Sequence, residues 1–367
     1  MQQLLSQYRR DLHQIPETDF DLPCTLAYVR KVLEQYPCQI LTPCESTICA
    51  FFDAGKPKTT AFRADMDALP ILERNDHEFV SQHKGRMHAC GHDGHMAMVL
   101  GLAKLVSEQI DTLPRNILLV FQPAEETTGG AKYICESGIF EQLNCDRIFG
   151  WHLWPDLPKG MIATRPGPLL ARSTEVTITI TGRSSHIGKA EEGADALYAA
   201  SAFLYRAYQQ VDKLGNPEEM RLLKFGKLES GQARNAISNK SVMLGSMRVY
   251  SQAMYDAIRG MMEQLAKELE EETGCTFDLH FSLDYPPIIN DESLVQMAQE
   301  ALPQLQQLEK PLLVAEDFSV YQEYLPGLFL LLGIGQVDNP LHSDTFDFDE
   351  TVLSVGLAAD EVLMRLP

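Results

Sequence analysis

Apolar residues recur along this chain in two ways, and the change between them comes near residue 174. Before it, helical stripes alternate with short, nearly unbroken apolar runs. Residues 1–35 predict two helices separated by a turn at 10–17. Leu26, Val29, Val32 and Leu33 make one stripe of the second helix, and Pro23 suits its first turn. Residues 47–53 and 59–63 read as strands, and 96–106 as a buried helix. The nearly continuous apolar run at 116–121 predicts a central parallel strand. A helix from about Ala131 and an apolar strand at 147–154 follow, then a Pro- and Gly-rich linker to Leu170.

From Thr174 the pattern becomes strict alternation through Thr181, as in a sheet with one wet face. Residues 194–210 predict a helix, 222–228 and 242–249 strands, and 277–283 a last strand. A long helix fits 252–272, with Ser251 as its N-cap and Gly274 past its end. Beyond Pro286 the first pattern returns, with helices at 294–302, near 315–318 and up to Leu366, and a buried strand at 328–332. The expected fold class is α/β: a mixed, mostly parallel sheet flanked by helices, interrupted by an inserted α+β sandwich. The boundaries expected are 1–172 and 285–367 for the larger domain and 173–284 for the insertion, which would serve as lid and dimerisation domain. No internal repeat or low-complexity segment interrupts this reading.

Charge narrows the function classes. A net charge of −20 argues against a nucleic-acid partner, since phosphate binding needs basic patches. Anionic small substrates stay open, because a bound cation inverts the local field. Residues 1–10 are polar, and the apolar run at 328–332 is far shorter than the ~20 residues a membrane helix needs, so no membrane partner is expected. Eight cysteines without a secretion signal point to free thiols in a reducing cytoplasm.

The densest chemistry lies in Met87-His-Ala-Cys-Gly-His-Asp-Gly-His95. In an extended segment Cys90 and His92 point to the same side and offer donors that zinc-like metals prefer. Asp93 can accept the spare ring N–H of a ligating histidine. Adjacent carboxylates at Glu125 and Glu126, at the mouth of a buried strand, repel each other unless a cation or proton intervenes. Asp65 and Asp67 follow another strand end, where open α/β sheets place their chemistry. His13 and His152 each fit a structural role when taken alone. A thiol hydrolase using Cys90 with His92 or His88 is a second reading. A metal-binding protein without catalysis is a third.

Taken together, the motifs resemble the metal-dependent amidohydrolases that include aminoacylases, hippurate hydrolase, indoleacetyl-amino-acid hydrolases and N-acetyldiaminopimelate deacetylase. The resemblance rests on Arg63-Ala-Asp-Met-Asp-Ala-Leu-Pro70, the Met87–His95 stretch and Phe121-Gln-Pro-Ala-Glu-Glu126. Further support comes from His152, Arg234-Asn235, Gly245-Ser-Met-Arg248, Glu316-Asp-Phe318 and Leu341-His342. Residues 157–164 and 316–333 look most like the diaminopimelate branch. The resemblance implies two divalent ions per subunit (Zn, Mn, Co or Ni), held by Cys90, His92, Glu126, His152 and His342. Cys90 would bridge them, with His92 and His152 on one side and Glu126 and His342 on the other. It also implies Glu125 as the base that takes the proton of the attacking water, and Asp67 as a residue orienting a ligand. His186 would be a donor to the oxyanion, Asn235 and Arg248 would hold the substrate carboxylate, and Gly333 would allow close approach of substrate. The implied substrate is a small N-acyl amino acid, and the implied assembly a homodimer through the inserted domain, with His186 supplied by the partner in dimeric relatives. A dipeptidase or carboxypeptidase on the same scaffold is the alternative. The chain departs from the family at Ser184-Ser-His186-Ile-Gly-Lys189, where His-Ala-Ala and then Pro-His are frequent, and at Leu22, where an acidic residue is common.

Overall fold

The computed structural model describes residues 1–216, 218–335 and 339–367. It divides into two compact units. The larger holds Met1–Leu169, Ile289–Lys310 and Asp317–Pro367, and the smaller holds Leu170–Ile288 and Pro311–Glu316. The return of 311–316 to the smaller unit was not expected. There Leu312 bridges Leu170, and the amide of Ala171 donates to the Val314 carbonyl at 2.8 Å.

In the larger unit eight strands form one sheet, in the order Gln39–Leu41, Ile48–Phe52, Asn116–Gln122, Thr59–Asp65, Cys145–Trp154, Gly327–Gly333, Ile162–Thr164 and Gln306–Gln307. The pairs that join Asn116–Gln122 to Thr59–Asp65, and on to Cys145–Trp154 and Gly327–Gly333, are parallel. The flanking pairs include antiparallel ones, so the sheet is mixed as expected. Every residue of Asn116–Gln122 and of Gly327–Gly333 is buried, which is why those segments read as unbroken apolar runs.

Helix His92–Gln109 is buried continuously from its first residue to Ala103, and packs among Leu5, Leu12, Leu353 and Leu357 from the first and last helices. It starts four residues before the apolar run that predicted it, because Gly91 turns the chain with φ 86°. Cys90 and His92 therefore flank a left-handed turn at a helix start rather than lying on an extended segment. A second correction concerns Asp93. Its Oδ2 accepts from His13 Nδ1 at 2.7 Å and from Arg9 Nε at 3.2 Å, so it anchors the first helix and does not orient a ligand histidine. His13 is structural, buried between Asp93 and Glu73.

The last helix, Val352–Leu363, buries Asp360, whose Oδ1 accepts from Trp151 Nε1 at 2.7 Å. Burial pushes this carboxyl from 3.8 up to about 8. The unfolded chain loses that proton above the ordinary value while the folded protein keeps it, so stability falls as pH rises from about 4 toward 8. Asp360→Asn keeps an acceptor for Trp151 and removes the titration. Its melting temperature relative to the wild type is expected to rise across that range in calorimetry, and a difference independent of pH would refute the assignment.

The smaller unit is a four-stranded antiparallel sheet in the order Thr276–Tyr285, Arg172–Thr181, Lys240–Val249 and Leu222–Ser230. Val176, Ile178 and Ile180 put the apolar half of the alternation into a core with Phe203 of helix Ala196–Val211 and Ile258 and Met262 of helix Gln252–Thr273. Ser251 accepts from the Met254 amide, and Gly274 takes φ 67° at the helix end, both as expected. Asp195, accepting from the amides of Leu197 and Tyr198, starts the shorter helix. Among the described residues no helix is long and apolar enough to cross a membrane.

Candidate metal centre and active site

The carboxyl ends of three neighbouring strands feed one site. Asp67 lies two residues past Thr59–Asp65, Glu125 and Glu126 lie just past Asn116–Gln122, and His152 stands near the end of Cys145–Trp154. Cys90 and His92 enter at the start of the long helix. His342 arrives on a loop, held by its amide, which donates to the Ala89 carbonyl at 2.8 Å. Its φ of 66° is strained for a residue with a β-carbon, so the loop holds the ring in place against a local cost.

All five expected ligand residues meet here. Donor atoms of Cys90, His92 and His152 lie within 4.8 Å of one another, and so do those of Cys90, Glu126 and His342. The thiol is common to both groups, so it is the donor that two ions held here would share. Cys90 Sγ is 3.4 Å from His152 Nε2, and Glu126 Oε1 is 3.3 Å from His342 Nε2 and 3.9 Å from His92 Nε2. Glu125 stands beside them, with Oε2 3.9 Å from His92 Nε2.

The tautomers suit metal binding. His92 Nδ1 donates to the Asp67 carbonyl at 2.7 Å, and His152 Nδ1 donates to the Leu153 carbonyl at 2.6 Å. Each ring therefore turns its Nε2 lone pair into the site. Burial pushes His152 down to about 3 and also lowers His92, so both are neutral donors. His92 Nε2 and Glu126 Oε1 are buried without a hydrogen-bond partner among the described residues. Orphans of this kind are costly unless something else satisfies them. Burial, then the Glu126 and Glu125 carboxylates, push the Cys90 thiol well above its ordinary range. A thiol so placed is a poor nucleophile on its own, whereas a cation among these groups would draw off its proton. The donor set, one sulfur with imidazoles and a carboxylate, fits two divalent ions of the zinc type.

Asp67 works through the backbone. Its carboxylate accepts from the Glu125 amide at 2.8 Å and the Glu126 amide at 3.0 Å. It thus fixes the turn presenting both glutamates, while its carbonyl fixes His92. The turn is tight, with Ala124 at φ 57°, and a β-carbon on Gly130 would come within 2.0 Å of the Pro123 carbonyl oxygen. Behind it Asp317 accepts from Arg63 at 2.9 Å, from Gln122 at 2.7 Å and from the Ala131 amide at 3.1 Å. Asp317 of the Glu-Asp-Phe motif thus has a role in shaping this turn, which only the fold reveals. Gly333 is accounted for without substrate, since a β-carbon there would lie 2.1 Å from the Pro158 carbonyl oxygen.

The other three expected residues belong to the smaller unit. His186 is exposed, and its Nδ1 accepts from the Gly188 amide at 3.1 Å. Asn235, also exposed, is its neighbour: the Asn235 carbonyl accepts from the Ile187 amide at 3.1 Å. Arg248 sits elsewhere in this unit, donating to Ser246 Oγ at 2.6 Å and to the Met247 carbonyl at 3.0 Å. Asn235 precedes strand Lys240–Val249, whereas Arg248 is near its far end. Eight residues of strand separate Lys240 from Arg248, about 26 Å. Within one copy of this unit Asn235 and Arg248 therefore cannot grip the same carboxylate, contrary to the simplest form of the expectation.

The chain is similar to known proteins over nearly its whole length. Peptidase family M20/M25/M40 matches residues 61–365. N-acetyldiaminopimelate deacetylase of Oceanobacillus iheyensis is 34% identical over 363 residues, covering 97% of each chain. The protein of that name from Brevibacillus brevis is 33% identical over 362 residues, covering 96% of this chain and 95% of its own. Among solved structures, Bacillus subtilis YXEP, a dinuclear metal binding peptidase from the M20 family, superposes with a TM-score of 0.86 at 29% identity, covering 99% of this chain and 97% of that one.

Proposed function

Since the chain belongs to peptidase family M20/M25/M40 and is a metal-dependent amide hydrolase of that family, we propose that it removes the acyl group from small N-acyl amino acids, with N-acetyldiaminopimelate as its substrate and lysine biosynthesis as its setting. The observation that carries the chemistry is the Cys90 thiol shared between two donor groups, with the Glu125 carboxylate beside them at 3.9 Å from His92 Nε2. The name borne by the relatives in Oceanobacillus and Brevibacillus supports the choice of acyl group and amino acid.

Cys90, His92, Glu126, His152 and His342 would hold two divalent ions, which when bound would supply Lewis-acid polarisation of the amide carbonyl and a lowered pKa for water. With one thiolate and one carboxylate among the five, two divalent ions would leave an excess of about two positive charges on the ligand set, which would suit an anionic transition state. Glu125 takes the proton of the attacking water and passes it to the departing amine. Asp67 keeps Glu125 in place through its amide. His186 donates to the oxyanion.

The strand geometry supports a homodimer in which the two ends of strand Lys240–Val249 serve different sites, His186 and Asn235 one and Arg248 the other. Leu197, Tyr198 and Tyr205 are exposed on helix Ala196–Val211 and offer apolar area for such an interface. All eight cysteines are free, which supports a cytoplasmic location.

A substrate panel tests the proposal. N-acetyldiaminopimelate is expected to give the highest kcat/KM among N-acetyl, N-succinyl and N-benzoyl amino acids and dipeptides, and a chelator should abolish turnover. Faster cleavage of dipeptides would favour the peptidase alternative, and activity that survives chelation would return the thiol mechanism.

A further inference from the structure

Two histidines of the Met87–His95 stretch, His88 and His95, are outside the ligand set, and the hydrogen bonds of His95 tie it to a ligand. The ladder between Thr59–Asp65 and Cys145–Trp154 runs only as far as the Arg63–Gly150 pair. Beyond that point the Leu153 amide finds its acceptor in a side chain: it donates to His95 Nε2 at 2.9 Å. Because an amide can only donate, His95 Nε2 must carry the lone pair, and the ring proton sits on Nδ1. That Nδ1–H donates to Asp65 Oδ1 at 2.7 Å. Asp65 is itself held, its Oδ2 accepting from Arg63 at 2.7 Å. Asp65 and His95 thus continue with side chains the ladder that the backbone leaves off. On its other side Leu153 offers its carbonyl to His152 Nδ1 at 2.6 Å. A chain of bonds with fixed direction runs from a buried carboxylate, through His95 and Leu153, to His152, whose Nε2 faces the Cys90 sulfur at 3.4 Å.

We infer that His95 is a positioning residue for the metal centre: with Asp65 it fixes Leu153, and through Leu153 it sets the direction and tautomer of His152 and so the affinity of the ion on the His92–His152 side. His95 is not itself a ligand, because both of its nitrogens are already engaged. The inference rests on the two-ion reading of the site. Partners that orient a ligating histidine are worth roughly 10–100-fold in metal affinity. In this chain the orienting group is the ligand's own neighbour in the strand, and His95 holds that neighbour's amide on the side away from strand Gly327–Gly333.

The test measures cobalt binding by equilibrium dialysis and elemental analysis on the metal-free whole chain, in the wild type, His95→Phe and His95→Gln. The wild type is expected to take up two ions. His95→Phe keeps a ring of similar size without its hydrogen bonds, and is expected to weaken one ion roughly 10–100-fold and leave the other unchanged. In His95→Gln the carboxamide oxygen can accept from the Leu153 amide while its nitrogen donates to Asp65, so affinity should largely return. A folded His95→Phe that binds both ions as tightly as the wild type would overturn the inference, as would a Gln variant no better than the Phe one, since packing alone would then explain the residue. Fewer than two ions in the wild type would instead defeat the two-ion reading. Should His95→Phe not fold, nitrogen NMR of the zinc-loaded wild type decides: a proton on His95 Nδ1 supports the inference, and one on Nε2 overturns it.

Discussion

Glu125→Ala is expected to lower kcat by roughly 10²–10⁴-fold while the protein keeps both ions. The two adjacent glutamates have separate places. Glu126 shares an oxygen between His342 at 3.3 Å and His92 at 3.9 Å, where a ligand belongs. Glu125 stands at the same 3.9 Å from His92 Nε2, but it is Glu126 and not Glu125 that joins Cys90 and His342 in one donor group. Removing Glu125 therefore takes away a proton carrier and leaves the donor set whole. Its amide, which Asp67 holds at 2.8 Å, survives the substitution, so the turn presenting Glu126 survives with it. The decisive comparison is metal content by elemental analysis beside single-turnover rates. A variant with near-normal rate would refute the base assignment, and loss of an ion would move Glu125 into the ligand set. Glu126→Ala should fail in the opposite order, losing metal first and activity as a consequence.

Much of this site is legible in the sequence because its members stand in short, chemically dense stretches. Cys90, His92 and the paired glutamates announce themselves by donor type and by their place at strand and helix ends. What holds them is not legible in the same way. Asp93 looks like a ligand's partner from its position, yet its partners are His13, 80 residues away, and Arg9, 84 away, brought in by a helix packing that no local pattern encodes. Asp67 acts on amides 58 and 59 residues later. The same applies to Gly333, where glycine is demanded by the backbone of residues 157–158 rather than by a ligand. The fold itself was easier to read, since unbroken runs and strict alternation mark buried parallel and half-wet antiparallel strands respectively. The excursion of 311–316 back to the smaller unit has no such pattern. The separation of Asn235 from Arg248 is legible in the sequence, since the strand predicted at 242–249 lies between them.

That separation leads to the second large effect. His186→Ala and Arg248→Ala should each be nearly inactive as pure proteins, yet activity should reappear when the two are unfolded together and refolded as a mixture. Each site, as proposed, takes Arg248 from one chain and His186 from the other. In a mixed dimer one site then collects both lesions and its twin collects none. Random pairing makes half of the dimers mixed, each with one intact site of two, so about a quarter of wild-type activity should return. If His186 and Arg248 served the same chain's site, each site in the mixed dimer would carry one lesion and nothing would return. The result does not depend on how much each substitution weakens binding, because it compares the mixture with its own components. The strand geometry favours recovery: His186 and Asn235 are neighbours through the Ile187 amide at 3.1 Å, whereas Arg248 stands about 26 Å of strand beyond Lys240, too far for one copy to place both ends on one amino acid.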